Sequence, residues 1–487
     1  VFNSVRSEFV PWLAHSLQWT DDHRTLRVQL RSGVLWSDGT AFDADDVVFT
    51  FELLRAHPAT DARGVWRFLG GVRAVDARTV EFDFGHGNVP RLADVVCQPV
   101  LPEHVWSEVE DPIGFANATP VGTGPFTEIL TFRDDLYEIG RNPYYWQDDV
   151  PAIDVLRLPA YPDNDASTMG LLYEGVDWAG DFIPAVDRVF EAKQPEHHRS
   201  WSPLTGGGIF LFANTTRSPF DDPRVRKAIS MAIDRRLVVD VAMFGYTRPA
   251  DATGLTDAHA SWRDSTAVRR GDWVRFDPGA AREALDAAGL LAGADGLRRG
   301  ALDQVLRPEL LCVRGWTDWE RAVEIIADGL HAVGIAARIQ RPEFDAWQRR
   351  VSEGSFDLSI GWSLEGTSPH DFYRALMSSR TVAPVGQSAT ANWHRYASPR
   401  ADALFDLFAG AADRPTQARL ADRLQHVFVQ EAPAIPLFPG PSWSAVDTEH
   451  VTGFPTPQDP YADPSPNKFV RGETLLVLTK LRPVPSP

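Results

Sequence analysis

Between Leu310 and Ile360 the chain alternates two hydrophobic periods, and that alternation restricts the fold more than any other feature. Leu310–Val313 is a short apolar run of strand type. Trp319, Val323, Ile326, Leu330 and Val333 then recur at helical spacing as far as Gly334, a residue suited to the left-handed turn that ends a helix. The run IAARI follows, a second helical period carries Phe344, Trp347 and Val351, and Phe356–Ile360 returns to a strand. Strands and helices in this order bury their apolar faces as an α/β layer, so the sequence predicts α/β structure with a mostly parallel sheet.

Other stretches add corners and caps. In LRSGVLWSDGTAFDADDVVFTF (30–51) a strand ends at Asp38-Gly39, and Asp43 stands where an N-cap belongs, with Asp46 three residues on. Thr25–Leu30 alternates, and Val72–Phe84 reads as a hairpin around Asp76-Ala77-Arg78. Near Pro219–Gly245, Asp222 can cap a helix, Pro223 fits its first turn, and Val225, Ala228, Ile229, Ala232 and Ile233 share one face. DPGAAREALDAAGL is the one helix signal in a looser stretch near 250–300. The C-terminal part, with IPLFPGPSW and GFPTPQDPYADPSPN, is rich in proline and aromatics and predicts an extended path over the body.

A chain of 487 residues exceeds one simple core and suits two or three compact units. Its 48 basic against 66 acidic residues give a net charge of -18, which disfavours nucleic acid and anionic membranes as partners. No apolar run is long enough to span a bilayer. Cys97 and Cys312 sit in apolar runs and read as buried thiols rather than a disulfide. There is no CxxC, HExxH or Walker pattern, and GTGPFT (122–127) lacks the last glycine of a dinucleotide loop, so no metal and no cofactor is expected. His197-His198 has no third ligand nearby and reads as a solvated loop.

The segment at 30–51, the opening EFVPWLAHSLQWTDD, the pair VGTGPF (121–126) and RNPYYW (141–146), NTTRSPFDDPRVRKAISMAIDRRLV from Asn214, FDLSIGW (356–362) and PAIPLFPG (433–440) occur in one order along the chain. Together they resemble the extracellular solute-binding proteins of family 5, the receptors of ATP-driven (ABC) importers for peptides, nickel complexes or oligosaccharides. The resemblance implies a type II periplasmic-binding clamshell of two α/β lobes. Lobe I would hold residues 1–250 and 450–487, with an extra subdomain at about 22–146, and lobe II would hold 251–449. The hinge crossings would fall near Arg248–Gly254 and Ser444–Gly453. It further implies a secretion signal ahead of EFVPWLAHSLQWTDD, an extracellular or periplasmic monomer anchored as a lipoprotein, and importer membrane subunits as partners. No catalysis is implied.

Peptide-binding members of that family carry an Asp shortly after the Gly-Trp of the FDLSIGW phrase, where it anchors the peptide's ammonium; here Glu365 holds that place. SPHDFYRALMSS, NWHRYASP and the C-terminal phrases resemble more closely the branch that takes cello-oligosaccharides and other β-linked sugars. Sixteen Trp against 4 Met point the same way. Indole offers a broad rigid platform for the C–H face of a pyranose, while acids, amides and histidines pair with its hydroxyls. Candidate ligand residues are therefore Trp178, Asp181, Trp201, Asn214, Trp316, Trp362, Glu365, His370 and Trp393. Each has a plainer reading, since large aromatics are core residues more often than platforms and Asn214 equally suits a turn. Trp319 reads as core, and Trp12, Trp19, Trp36 and Trp146 as scaffold. The alternatives are an oligopeptide receptor of the same fold, a glycoside hydrolase, which needs two carboxylates roughly 5 to 10 Å apart, and a sensor using the same clamshell.

Overall fold

In the computed structural model, which describes residues 1–20, 23–85, 88–300, 302–411 and 413–485, the strand–turn–helix corner forms as its residues dictate. Asp43, in an extended conformation, caps helix Ala44–Ala56. Its carboxylate accepts from the Asp45 amide at 2.9 Å, and the Asp46 carboxylate reaches back to the Asp43 amide at 3.1 Å. Asp46 also accepts from Trp36 Nε1 at 3.0 Å, tying the turn to the helix. The end of the opening phrase, Asp21 and Asp22, lies outside the described residues.

That helix covers a four-stranded antiparallel sheet in the order Ala14–Thr20, Thr25–Leu30, Thr79–Asp83, Gly71–Asp76. Leu26, Val28, Trp36, Phe51, Val80 and Phe82 are buried between the two layers. A second antiparallel sheet joins Phe126–Arg133, Leu136–Arg141 and Val155–Pro159. These sheets extend on both sides of the expected subdomain at 22–146. A third sheet places Ala445–Asp447 between Trp178–Ala179 and His198–Ser200, where the C-terminal segment packs through Val446, Phe454, Tyr461 and Leu476.

The other unit is a five-stranded sheet in the order Arg338–Gln340, Glu309–Leu311, Leu358–Trp362, Gly208–Ala213, Ile435–Pro439. Two of its pairings are parallel and two antiparallel, so the sheet is mixed rather than mostly parallel. The departure comes from Gly208–Ala213, which enters between strands of opposite direction. The same strand corrects the domain boundary. Residues 208–213 were expected in the first lobe, yet they sit inside the second sheet, and helix Pro223–Met231 packs in the same core. Ala445–Asp447, expected before the return crossing, already pairs within the first unit. The crossings therefore lie near 201–207 and 440–444.

Two arginines of the phrase PRVRKAISMAIDRR bind helix to strand from the interior. Arg226 donates to the carbonyls of Phe220, Asp221, Glu431 and Ala432, and Arg235 to those of Ser230, Val274 and Pro436. Burial without a carboxylate partner pushes the Arg235 guanidinium down to about 9. Both cysteines are free thiols, and burial pushes Cys312 up to about 12. Among the described residues no helix is long and apolar enough to cross a membrane.

Two interior histidines make this architecture acid-sensitive. His394 stacks on Phe212 and its Nε2 lies 2.9 Å from the Leu376 carbonyl, while His259 Nε2 lies 3.0 Å from the Gly366 carbonyl. Burial pushes His394 down to about 3 and His259 to about 4, from an ordinary 6.5. Below pH 6.5 the unfolded chain gains protons that the folded chain refuses, so stability present above that pH is lost as pH falls toward 4 and 3. His394→Gln, which keeps a donor but cannot titrate, is expected to remove about 5 kcal/mol of that acid loss by pH 3. Urea unfolding across the pH range checks it; an acid slope identical to that of the parent chain would contradict the assignment.

Candidate functional site

The two units meet where the chain crosses between them. The Gly440 amide donates to the Gly207 carbonyl at 3.0 Å, the Ser363 amide to the Gly208 carbonyl at 2.8 Å, and the Gly208 amide to Ser363 Oγ at 2.9 Å. A Cβ on Gly206, Gly207 or Gly440 would collide with the backbone of Gly440, Ser363 or Gly207, so close approach demands glycine at each. The crossing lies at the start of strand Gly208–Ala213 and, because the pairing is antiparallel, at the end of Leu358–Trp362. Residues at that end of the second sheet face the first unit.

Trp362 closes that strand and anchors a cluster of indoles. Trp316, at the N-cap of helix Thr317–Ala332, stacks against Trp362 at 5.9 Å and 29°, and Phe344 stacks on Trp316 at 5.8 Å and 25°. Beneath them Trp319, Trp347 and Trp393 are buried, with Trp347 and Trp393 at 5.1 and 5.4 Å from Trp362. Trp347 Nε1 donates to Ser359 Oγ at 3.0 Å, fixing the ring. Trp316 and Trp362 themselves are only half-buried. The arrangement is a rigid aromatic floor with two half-buried indoles and the exposed Phe344 ring at its surface.

Several contacts join the first unit to the second. Helix Asn164–Tyr173 touches the loop before Trp316. The Asn164 amide donates to the Gly315 carbonyl at 3.3 Å, and Asn164 Nδ2 to Asp318 Oδ1 at 3.4 Å. Burial raises the Asp318 carboxyl to about 6. Phe182 meets Trp443 edge-on at 5.4 Å, and the Tyr246 hydroxyl accepts from the Val186 amide at 2.7 Å. Lys468 Nζ donates to Glu365 at 2.6 Å and lies 3.6 Å from fully buried Asp463. Asp463 in turn accepts from Thr205 Oγ1 at 2.7 Å. Close by, Glu473 accepts from the amides of Ser4 and Asp463, and burial raises it to about 7.

The expected ligand residues divide. Trp316, Trp362 and Glu365 come together at the crossing end of the second sheet. Trp201 joins them at the crossing itself, its amide donating to the Ser444 carbonyl at 3.1 Å. On the facing unit Asp181 accepts from Ser167 Oγ, and Trp178 donates from Nε1 to the Pro464 carbonyl at 2.8 Å while packing on Phe454. Trp393 is buried foundation beneath Trp362 rather than surface.

Two candidates lie elsewhere. Asn214 is fully buried at the opposite end of its strand, with Nδ2 donating to the Gly354 and Phe356 carbonyls at 2.9 and 3.0 Å, which is its turn role. His370 is buried on helix Pro369–Met377 against Phe405 and Phe408, beside Asp371 at 3.3 Å. His198 is no solvated loop residue either, since it is buried and stacks on Phe190 at 3.9 Å. Sequence reasoning missed Phe344, Trp347 and Lys468. The first two carried only a helical-face signal, and Lys468 sits in an irregular tail with no period. Among the described residues no group of three or more His, Cys, Asp or Glu could hold a metal ion.

Residues 8–383 match the bacterial extracellular solute-binding proteins, family 5 Middle. The glutathione-binding protein GsiB of Salmonella paratyphi A is 26% identical over 455 residues, covering 91% of this chain and 82% of that protein. The mannohexaose-bound periplasmic oligopeptide-binding protein of Thermotoga maritima superposes with a TM-score of 0.91 at 24% identity, covering 99% and 92% of the two chains. The oligopeptide-binding protein AppA of Bacillus subtilis, solved with a nonapeptide, gives 0.81 at 20% identity, covering 97% and 90%. With a match over most of its length and a two-unit α/β fold shared with such receptors, this chain belongs to the family 5 bacterial extracellular solute-binding proteins, non-enzymatic substrate-capturing components of ABC importers.

Proposed function

We propose that the captured solute is a neutral oligosaccharide, a cello- or other β-linked chain, enclosed between the two units as they close. The observation that carries this reading is the half-buried Trp316–Trp362 pair, held on a buried aromatic foundation at the end of the sheet that faces the first unit. Two fixed indole faces suit successive pyranose rings, whose C–H patches stack while their hydroxyls reach side chains such as Asp181 and Glu365. The Thermotoga maritima protein with the same fold holds mannohexaose, which supports the reading. The receptor acts as a monomer tethered as a lipoprotein on the outer face of the membrane and delivers to the importer's membrane subunits.

An oligopeptide is the second reading, favoured by the glutathione- and nonapeptide-binding relatives. Against it stands the pairing of Glu365. The carboxylate placed to receive a peptide ammonium already holds a tethered one, since Lys468 lies 2.6 Å away with its side chain 11% exposed. A peptide would have to expel that ammonium toward Asp463 and leave a buried charge less well compensated.

Three measurements separate the readings. Calorimetric titration with cellobiose through cellopentaose is expected to give heat where di- to pentapeptides give none; heat from peptides alone overturns the sugar reading. Trp362→Ala is expected to weaken saccharide binding by about 1–3 kcal/mol, and an unchanged affinity would remove the platform. Lys468→Met frees Glu365 and is expected to give the variant measurable affinity for trialanine, at least about tenfold above the parent chain. If the variant still ignores trialanine, Lys468 does not set the ligand's charge.

A further inference from the structure

A cavity lies away from the crossing, on the helical side of the second unit. Its volume is about 600 Å³, and through Arg270, Arg400 and His426 it continues into a smaller hollow of about 270 Å³. Its floor is apolar, built from Met231, Trp273 and Val429, with the Trp273 ring fixed by its Nε1 donating to the Val429 carbonyl at 2.9 Å.

The rim is cationic by helical spacing. Arg224, Lys227 and Met231 fall at i, i+3 and i+7 on helix Pro223–Met231. Arg423, His426 and Gln430 fall at the same intervals on helix Arg414–Glu431. Arg270 ends helix Ser265–Arg270, and Arg400 lies in the first turn of Pro399–Ala409. Three of these groups are engaged: Arg224 with Asp222 at 2.6 Å, Arg400 with Gln430 at 2.6 Å, and His426 with Asp264 at 3.0 Å. Lys227, Arg270 and Arg423 have no hydrogen-bond or ion-pair partner among the described residues. Asp272 is the one carboxylate in the lining. Burial, followed by the Arg226 charge, lowers the Lys227 ammonium from its ordinary value.

Acids outnumber bases in this chain by 66 to 48, yet Lys227, Arg270 and Arg423 converge here with Asp272 as the one lining carboxylate left to offset them, Asp222 and Asp264 being engaged by Arg224 and His426. We infer that this cavity is a second ligand site, separate from the crossing, for a small organic polyanion whose charged groups reach Lys227, Arg270 and Arg423 while an apolar body covers Trp273 and Met231. The volume falls in the range of roughly 300–1,000 Å³ typical of small-molecule sites, and the combination of fixed aromatic floor and convergent charges is what such a ligand requires. An inorganic anion would leave the floor wet, and a neutral sugar would leave the cations uncompensated.

The probe is trimesate, a benzene ring carrying three carboxylates, titrated calorimetrically into the full chain at low salt. Binding to one site, weakening as salt is raised, is expected. The double variant Arg270→Glu, Arg423→Glu is expected to weaken it at least about tenfold, and Lys227→Gln, which keeps the stem, to weaken it by a smaller factor. Thermal melting of each variant confirms that it folds. Oligosaccharide present at saturation in the crossing site is expected to leave trimesate binding unchanged. Absence of heat with the parent chain, equal affinity in both variants, or displacement of trimesate by saccharide would each overturn the inference.

Discussion

Two backbones that pass too close for any side chain to fit between them determine where everything else can stand. Gly206, Gly207 and Gly440 pack against one another and against Ser363, joined by amide–carbonyl bonds of 2.8 to 3.0 Å. A Cβ at any of the three would need main chain to move, which no side-chain rotation can relieve. With the two crossing segments pinned to the ends of Gly208–Ala213 and Leu358–Trp362, the second sheet has one end that faces the first unit and one that does not. The proposed platform, Trp316 and Trp362, stands at the former.

Strand direction then decides between residues that look alike in sequence. Trp362 ends one strand and Asn214 follows the end of another, and both read as strand-end residues near a ligand. The strands are antiparallel, so Trp362 lies at the crossing while the Asn214 amide bonds to Asp357 at the far end, about 16 Å away at the ordinary rise of a strand. Nothing local reveals this. GIFLFA is buried at all six positions and carries no alternation, so its partners and direction are fixed by pairing with residues more than a hundred positions later. The same blindness moved the domain boundary and made the sheet look mostly parallel. By contrast, the helices Ala44–Ala56, Thr317–Ala332 and Phe344–Glu353 were legible because their periods are local, as is the Asp43 cap of the first.

Site residues were legible to the extent that they end regular elements. Trp316 and Trp362 could be placed because each closes or opens one. Lys468 could not, since it stands in an irregular tail whose path depends on the C-terminal cluster around Phe454 and Tyr461. His370 stood in the family-like phrase SPHDFYRALMSS, but the helix that carries it turns that position toward Phe405 and Phe408.

Charge at the crossing works with the aromatic floor rather than beside it. Among the described residues Lys468 is the one cation paired with Glu365 and Asp463, while burial raises neighbouring Glu473 to about 7, so that this carboxyl is substantially protonated near neutrality. Asp318, at the contact with Asn164, is likewise raised, to about 6. Glu365 and Asp463 thus share one ammonium, while burial favours the neutral forms of Glu473 and Asp318. A charged solute entering here would have to break a pair already made, whereas a neutral one has only hydroxyls to match. That asymmetry, set by burial, supports the proposed reading in which two indole faces receive an uncharged ring.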